Sequence, residues 1–174
     1  MNLHNKISEL SEQGKADPRL EKPQYNFKTL SRLACVQSVY LSKVTEDDLI
    51  ACSNQILELY STTEDLLEEI VHIKTKHFEN LISEISSHFK EIEEFIASNL
   101  KQSYDNIHNM ILSILIVAAG EIMYLNTKPK IVANEFTNIA NSFLSHNEVG
   151  MVNSIIDNLG KSYLNNISNS IKTL

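Results

Sequence analysis

Few residues of this 174-residue chain are spaced for chemistry. The six histidines, His4, His72, His77, His88, His108 and His146, form no H-E-x-x-H pair and no His/Cys cluster at zinc-ligand spacing, so no metal site is expected. Cys35 and Cys52 stand seventeen positions apart without a C-x-x-C, and read as small apolar side chains in a reducing compartment. Gly14, Gly120, Gly150 and Gly160 are too scattered for a G-x-G-x-x-G turn or a P-loop, and there is no G-x-S-x-G elbow. Carboxylates are abundant, but nearly all fall on expected outer helix faces. Glu121 is the exception, since it falls inside the most apolar segment, where a carboxylate must be hydrogen-bonded or paired. Its expected role is structural, accepting backbone amides or pairing with Lys128 or Lys130. Neither a catalytic centre nor a cofactor is expected.

The remaining chemistry is cationic. Residues 1–45 carry seven bases and four acids, a net +3, whereas the other eight bases and eighteen acids give −10, for a total of −7. A basic leading end on an acidic chain suggests a nucleic-acid or membrane contact there, and a different partner elsewhere. Residues 46–101 hold thirteen acids and four lysines, the pattern of a solvated helix face.

The elements that must position these groups are helices. Three prolines and four glycines are too few to punctuate a many-stranded sheet, and 43% hydrophobic residues are too many for a disordered chain. Residues 1–24 read as a polar extension in which Ile7 and Leu10 can anchor one turn before Gly14, Pro18 and Pro23 interrupt it. A first helix is expected from about Phe27 to Ser42. Leu30, Leu33, Ala34, Gln37, Tyr40 and Leu41 share its apolar arc, with Lys28, Ser31, Arg32, Ser38 and Ser42 opposite. That puts Lys28 and Arg32 one turn apart on the wet face, and makes Gln37 a satisfied buried amide.

Thr45-Glu-Asp-Asp48 and Thr62-Thr-Glu-Asp65 both read as helix starts. A long stripe follows through Phe78, Leu81, Ile82, Ile85, Phe89, Ile92, Ile96 and Leu100. The segment from Asp105 to Leu125 is apolar nearly all round and belongs in the middle of a bundle. Asn126 to Lys130 ends it and starts another helix, with Pro129 in the first turn. Val132, Phe136, Ile139, Ala140 and Phe143 form the next stripe. Asn147 is the expected cap of a last helix with inner residues Val152, Ile156, Leu159 and Tyr163. The expectation is an all-α fold, a compact domain of about six or seven helices. The leading residues have no signal-peptide core, and Met110 to Leu125 is too short and too interrupted for a membrane span, so no membrane contact and a cytoplasmic location are expected.

Several of these segments carry a resemblance. Ser31-Arg-Leu-Ala-Cys-Val-Gln-Ser-Val-Tyr40 resembles the first helix of the NusB family of bacterial transcription antitermination factors, A-R-x-x-A-V-Q-A-L-Y. Ala118-Ala-Gly-Glu-Ile122, Lys128-Pro-Lys130 and Val132-Ala-Asn-Glu135 are similar to its A-x-Y-E-L, V-P-x-K and I-N-E stretches. Ile139-Ala-Asn-Ser-Phe143 and Met151-Val-Asn-Ser-Ile-Ile-Asp157 continue the order. The resemblance covers residues 27–43 and 110–160, and implies two packed helical bundles, with a NusB-like RNA-binding domain over 25–170.

The resemblance also implies a function without covalent chemistry. The family binds a short single-stranded boxA element of nascent RNA together with NusE, a small-subunit ribosomal protein. The pair holds RNA polymerase in a termination-resistant antitermination complex, chiefly on ribosomal RNA operons. The family's arginine-rich start of the first helix maps onto Lys28 to Arg32, so Lys28, Arg32, Lys22 and Tyr40 are the expected RNA-binding residues. Side-chain cations at a helix start suit phosphate, and Tyr25, Phe27 or Tyr40 can stack an unpaired base. The chain departs from the family at Thr29, Leu30 and Ile116, where arginines are usual, and at Gly120 and Met151, which replace a Tyr and a Phe. Weak RNA binding alone is therefore expected, rescued by the partner or by Lys15, Arg19 and Lys22. Two rivals remain. An RNA methyltransferase would need a methyl-donor site beyond residue 174. A structural or oligomerising scaffold, even a homodimer, would use the Phe78–Leu100 stripe against another chain.

Overall fold

The computed structural model describes residues 27–66 and 73–172. The expected extension over 1–24, with Lys22 and the Ile7/Leu10 turn, lies outside the described residues. Among those described there are seven α-helices: α1 Phe27–Thr45, α2 Leu49–Leu66, α3 Thr75–Ser87, α4 Phe89–Ser98, α5 Asn109–Tyr124, α6 Pro129–Ala140 and α7 His146–Lys172. A single 3-10 turn, Tyr104–Asn106, precedes α5, and no strand occurs among the described residues. None of the described helices is long and apolar enough to cross a membrane.

The helix α5 is the axle. Every residue from Ile111 to Ile122 is buried, and α5 packs against α1, α3, α4, α6 and α7. A helix with no polar face can satisfy its burial only by being surrounded. Around it, α1, α2 and α3 pack on one another, as do α5, α6 and α7, and the two bundles meet along α1–α5, α3–α5 and α1–α6.

The local signals have identifiable ends. Asp48 caps α2 by accepting the Ala51 amide at 3.1 Å, while Thr45 closes α1 by donating to the Leu41 carbonyl at 3.0 Å. Asn126, in the left-handed region at φ 51, reverses the chain after α5, and Pro129 takes the first turn of α6. Four expectations change. The start signal at Thr62–Asp65 lies inside α2, which runs through it. The cap of α7 is Ser145, whose amide and hydroxyl both donate to Glu148 Oε2 at 2.8 and 2.6 Å, instead of Asn147. The stripe from Phe78 to Leu100 belongs to two helices broken at His88. Phe78, Leu81, Ile82, Ile85, Ile92 and Ile96 are buried in this chain's own core, while Phe89 and Leu100 of the same stripe are half-buried.

The fourth change concerns α1. Ser31, Arg32 and Ser38 are buried, whereas Leu30, Leu33, Tyr40 and Leu41 are only half-buried. The apolar arc alone does not choose the buried face, because α1 is packed by α2, α3, α5 and α6. Serines tolerate that burial because their hydroxyls turn back onto the helix: Ser38 donates to the Ala34 carbonyl at 2.8 Å. Gln37 is half-buried and satisfied, its Oε1 accepting the Tyr60 hydroxyl at 2.9 Å.

Candidate nucleic-acid interface

The most chemically distinctive place in the molecule lies where the start of α1 meets the end of α5. Arg32 is 4% exposed and Glu121 fully buried. Arg32 Nε donates to Glu121 Oε2 at 2.8 Å, and Nη2 donates to Oε1 at 2.7 Å, a two-point fork. Its third nitrogen, Nη1, donates to Glu135 Oε2 of α6 at 3.1 Å. Thr29 donates to the same Glu135 oxygen, and Thr127 donates to Glu121 Oε1 at 3.0 Å. All three guanidinium nitrogens are thus held by carboxylates drawn from two other helices. Burial by itself would lower the Arg32 pKa, but the hydrogen bonds and charges of Glu121 and Glu135 hold it above its ordinary value.

These contacts correct the expected placement of Arg32. It is not a wet-face cation one turn from Lys28; it is an internal tie among α1, α5 and α6. Glu121 is structural, as its apolar surroundings required, but its partner is Arg32 and not Lys128 or Lys130. The reason is geometric. Glu121 sits three turns into α5 on the side that faces α1, and the planar fork of a guanidinium matches both its oxygens in a fixed geometry, which an ammonium lacks.

His77 of α3 completes the cluster. Its Nε2 lies 3.9 Å from Glu121 Oε1 and has no hydrogen-bond partner. Burial pushes the His77 pKa down; Glu121 opposes that shift, while the charges of Arg32, Lys28 and Lys74 reinforce it. Cys35, fully buried, is driven well above the usual thiol range by burial first and by Glu121 second. It is held as an inert thiol.

Outside this cluster, Lys28 and Phe27 are exposed at the first turn of α1, Phe27 by 53%. Tyr40 is half-buried and stands twelve residues beyond Lys28, about 18 Å along the helix at ~1.5 Å per residue. Of the four expected RNA-binding residues, then, the fold keeps Lys28 on the surface, takes Arg32 inside, and sets Tyr40 toward the other end of α1. Lys22 lies outside the described residues. Ile116 and Gly120, read as departures from family contact positions, both lie in the buried run of α5. A side chain at either place packs against neighbours and meets no phosphate.

Sequence reasoning missed Glu135, Thr29, Thr127 and His77 as members of the cluster. A signal for Glu135 was present, since a buried carboxylate at 121 needs a cation, and that cation's remaining donors need a further acceptor.

Comparison with known proteins gives one consistent result. A family profile described as the NusB family matches residues 29–161. The transcription antitermination protein NusB of Rickettsia africae (strain ESF-5) is 31% identical over 147 residues, covering 80% of this chain and 94% of that protein. The corresponding protein of Rickettsia typhi is 32% identical over 142 residues, covering 78% and 92%. Among solved structures, T. maritima NusB superposes with a TM-score of 0.63 at 20% identity, over 76% of this chain and 89% of that one. A chain from a crystal structure of antitermination factors NusB and NusE in complex with dsRNA gives 0.65 at 16% identity, over 79% and 98%.

Proposed function

Because the chain belongs to the NusB family, we propose that this antitermination factor binds boxA-type single-stranded RNA jointly with the ribosomal protein NusE, and supports transcription of ribosomal RNA operons within the RNA polymerase antitermination complex. The observation that carries the reading is the family match across the whole helical body, residues 29–161. The role needs no chemical step and no cofactor. It needs a surface that attracts phosphate and a fold rigid enough to hold it.

Lys28 and Phe27 supply the beginning of that surface. A lysine at the start of α1 attracts the backbone of a single strand, and the exposed ring beside it is a platform for an unpaired base. Arg32 acts in this reading from behind: by pinning α1 to α5 and α6 it fixes the direction in which Lys28 and Phe27 project. With Arg32 internal, few cations remain on α1, so the isolated chain binds RNA weakly and gains affinity in the joint complex. A cytoplasmic site of action follows from that role.

The test is a pull-down of purified NusE by the immobilised chain, with and without a boxA-type RNA. NusE retained by the chain, and retained more strongly when the RNA is present, is the expected result. No retention under either condition would overturn the proposal.

A further inference from the structure

Lysines reach the same end of the molecule from two other segments. Lys74 immediately precedes α3, and it is anchored beside α1: its amide donates to Ser31 Oγ at 2.9 Å, and its carbonyl lies 3.2 Å from the same hydroxyl. Ser31 opens the second turn of α1, three residues after Lys28, so the Lys74 backbone is fixed next to the segment that carries Lys28. The charges of Lys28 and Lys74 both reinforce the downward shift of the His77 pKa. Lys128 immediately precedes α6 and follows Thr127, whose hydroxyl holds Glu121 Oε1, the same oxygen that lies nearest His77. The side chains of Lys74 and Lys128 are exposed.

This placement works against folding. A cation at the start of a helix opposes the helix dipole. Yet neither Lys74 nor Lys128 gives its helix a side-chain cap, and no acid stands in the first turn of α1, α3 or α6. The same chain caps α2 with Asp48 and α7 with Ser145 and Glu148, so conventional caps are used elsewhere. In a chain of net charge −7, Lys74 and Lys128, each standing just before a helix without capping it, break a local rule. Such places are expected at functional surfaces.

We propose that Lys74 and Lys128, with Lys28, form a lysine rim that follows the phosphates of a single-stranded RNA. The inference rests on the RNA-binding reading above and extends it to α3 and α6. Arg32, Glu121 and Glu135 lie behind the rim as a closed cluster. Each lysine is a point charge on a flexible stem, so the rim attracts the backbone and is indifferent to base sequence.

The experiment is fluorescence anisotropy with two labelled 12-nucleotide RNAs, one boxA-type and one scrambled, in the presence of NusE and over a series of KCl concentrations. The proteins are the unaltered chain, Lys74→Ala/Lys128→Ala, and Lys90→Ala, whose residue is on α4 and pairs with Glu94. The double variant should lose affinity by the same factor on both RNAs. Its slope of log Kd against log [KCl] should fall by about 1.4, at ~0.7 per phosphate contact on a single strand. Lys90→Ala should match the unaltered chain. If the unaltered chain binds and the double variant keeps its slope, the rim is wrong while the RNA-binding reading survives. A loss confined to one RNA sequence would also overturn the rim, since it would mark a base contact. No binding by the unaltered chain to either RNA would overturn both.

Discussion

Arg32 and Glu121, 89 residues apart in sequence, meet inside the protein through two hydrogen bonds of 2.8 and 2.7 Å. The pair joins the first helix to the central one, and Glu135 extends it to α6. Breaking such a pair from one side leaves the other charge buried and unmatched. Arg32→Ala is therefore expected to destabilise the fold by about 3–5 kcal/mol. For a chain of this size that lowers Tm by roughly 6–20 °C at ~2–4 °C per kcal/mol. Thermal unfolding followed by circular dichroism reads this directly. Arg32→Met combined with Glu121→Leu should recover much of the loss, because the only carboxylate left without its cation is Glu135, which is partly exposed. A double variant as unstable as Arg32→Ala would show that the tie is not what Arg32 contributes.

His77 gives the fold a dependence on pH. Burial holds its folded-state pKa below the ordinary value of about 6.5. The folded protein therefore keeps this ring neutral where the unfolded chain takes up a proton. The stability tied to His77 is complete above ~6.5 and is lost as pH falls through that value toward the folded pKa. Denaturant midpoints measured from pH 7.5 to 5.5 should fall more steeply for the unaltered chain than for His77→Gln. Parallel curves would contradict the assignment.

Glycines test the packing. A Cβ on Gly120 would meet Ile85 Cγ1 at 2.8 Å, and one on Gly160 would meet Pro129 Cβ at 2.5 Å, whereas nothing lies within 4 Å of one on Gly150. Gly120→Ala and Gly160→Ala should each destabilise by about 1–3 kcal/mol through overpacking. Gly150→Ala, in the interior of α7, should stabilise by ~0.4–1 kcal/mol. Urea titrations at constant m-value decide each case, and an identical sign for all three would be the contrary outcome.

Phe27 and Tyr40 separate two positions for base stacking. Phe27 is exposed beside Lys28, while Tyr40 is about 20 Å further along α1 at ~1.5 Å per residue and half-buried. Phe27→Ala should weaken binding of a boxA-type RNA by ~1–3 kcal/mol, the worth of one stacked base, and Tyr40→Ala should change it much less. Anisotropy titrations with NusE present would show the order, and the reverse order would move the stacking site to the far end of the helix.

Much of this architecture was readable from residue types alone. The unbroken apolar run around Ile114 and Leu115 could only be a central helix, and Asn126 with Pro129 could only end one helix and begin another. The buried carboxylate at Glu121 was equally plain, because nothing polar adjoins it within α5. Its partner was not. Helical periodicity ranks the faces of one helix against water and says nothing of which neighbour covers a polar face. In α1 the serines Ser31 and Ser38 conceal the burial of Arg32, since their hydroxyls are satisfied by their own helix or by Lys74. For the same reason sequence spacing leaves no trace of the bonds that tie Lys74 to Ser31 and Thr127, beside Lys128, to Glu121.

Joint RNA binding is read most directly by an equilibrium titration of labelled boxA-type RNA with the purified chain, alone and with equimolar NusE, against a scrambled RNA of equal length. Weak binding alone, tighter binding with NusE, and preference for the boxA-type strand in the joint complex are expected. Affinity that is unchanged by NusE and equal for the two RNAs would contradict joint binding.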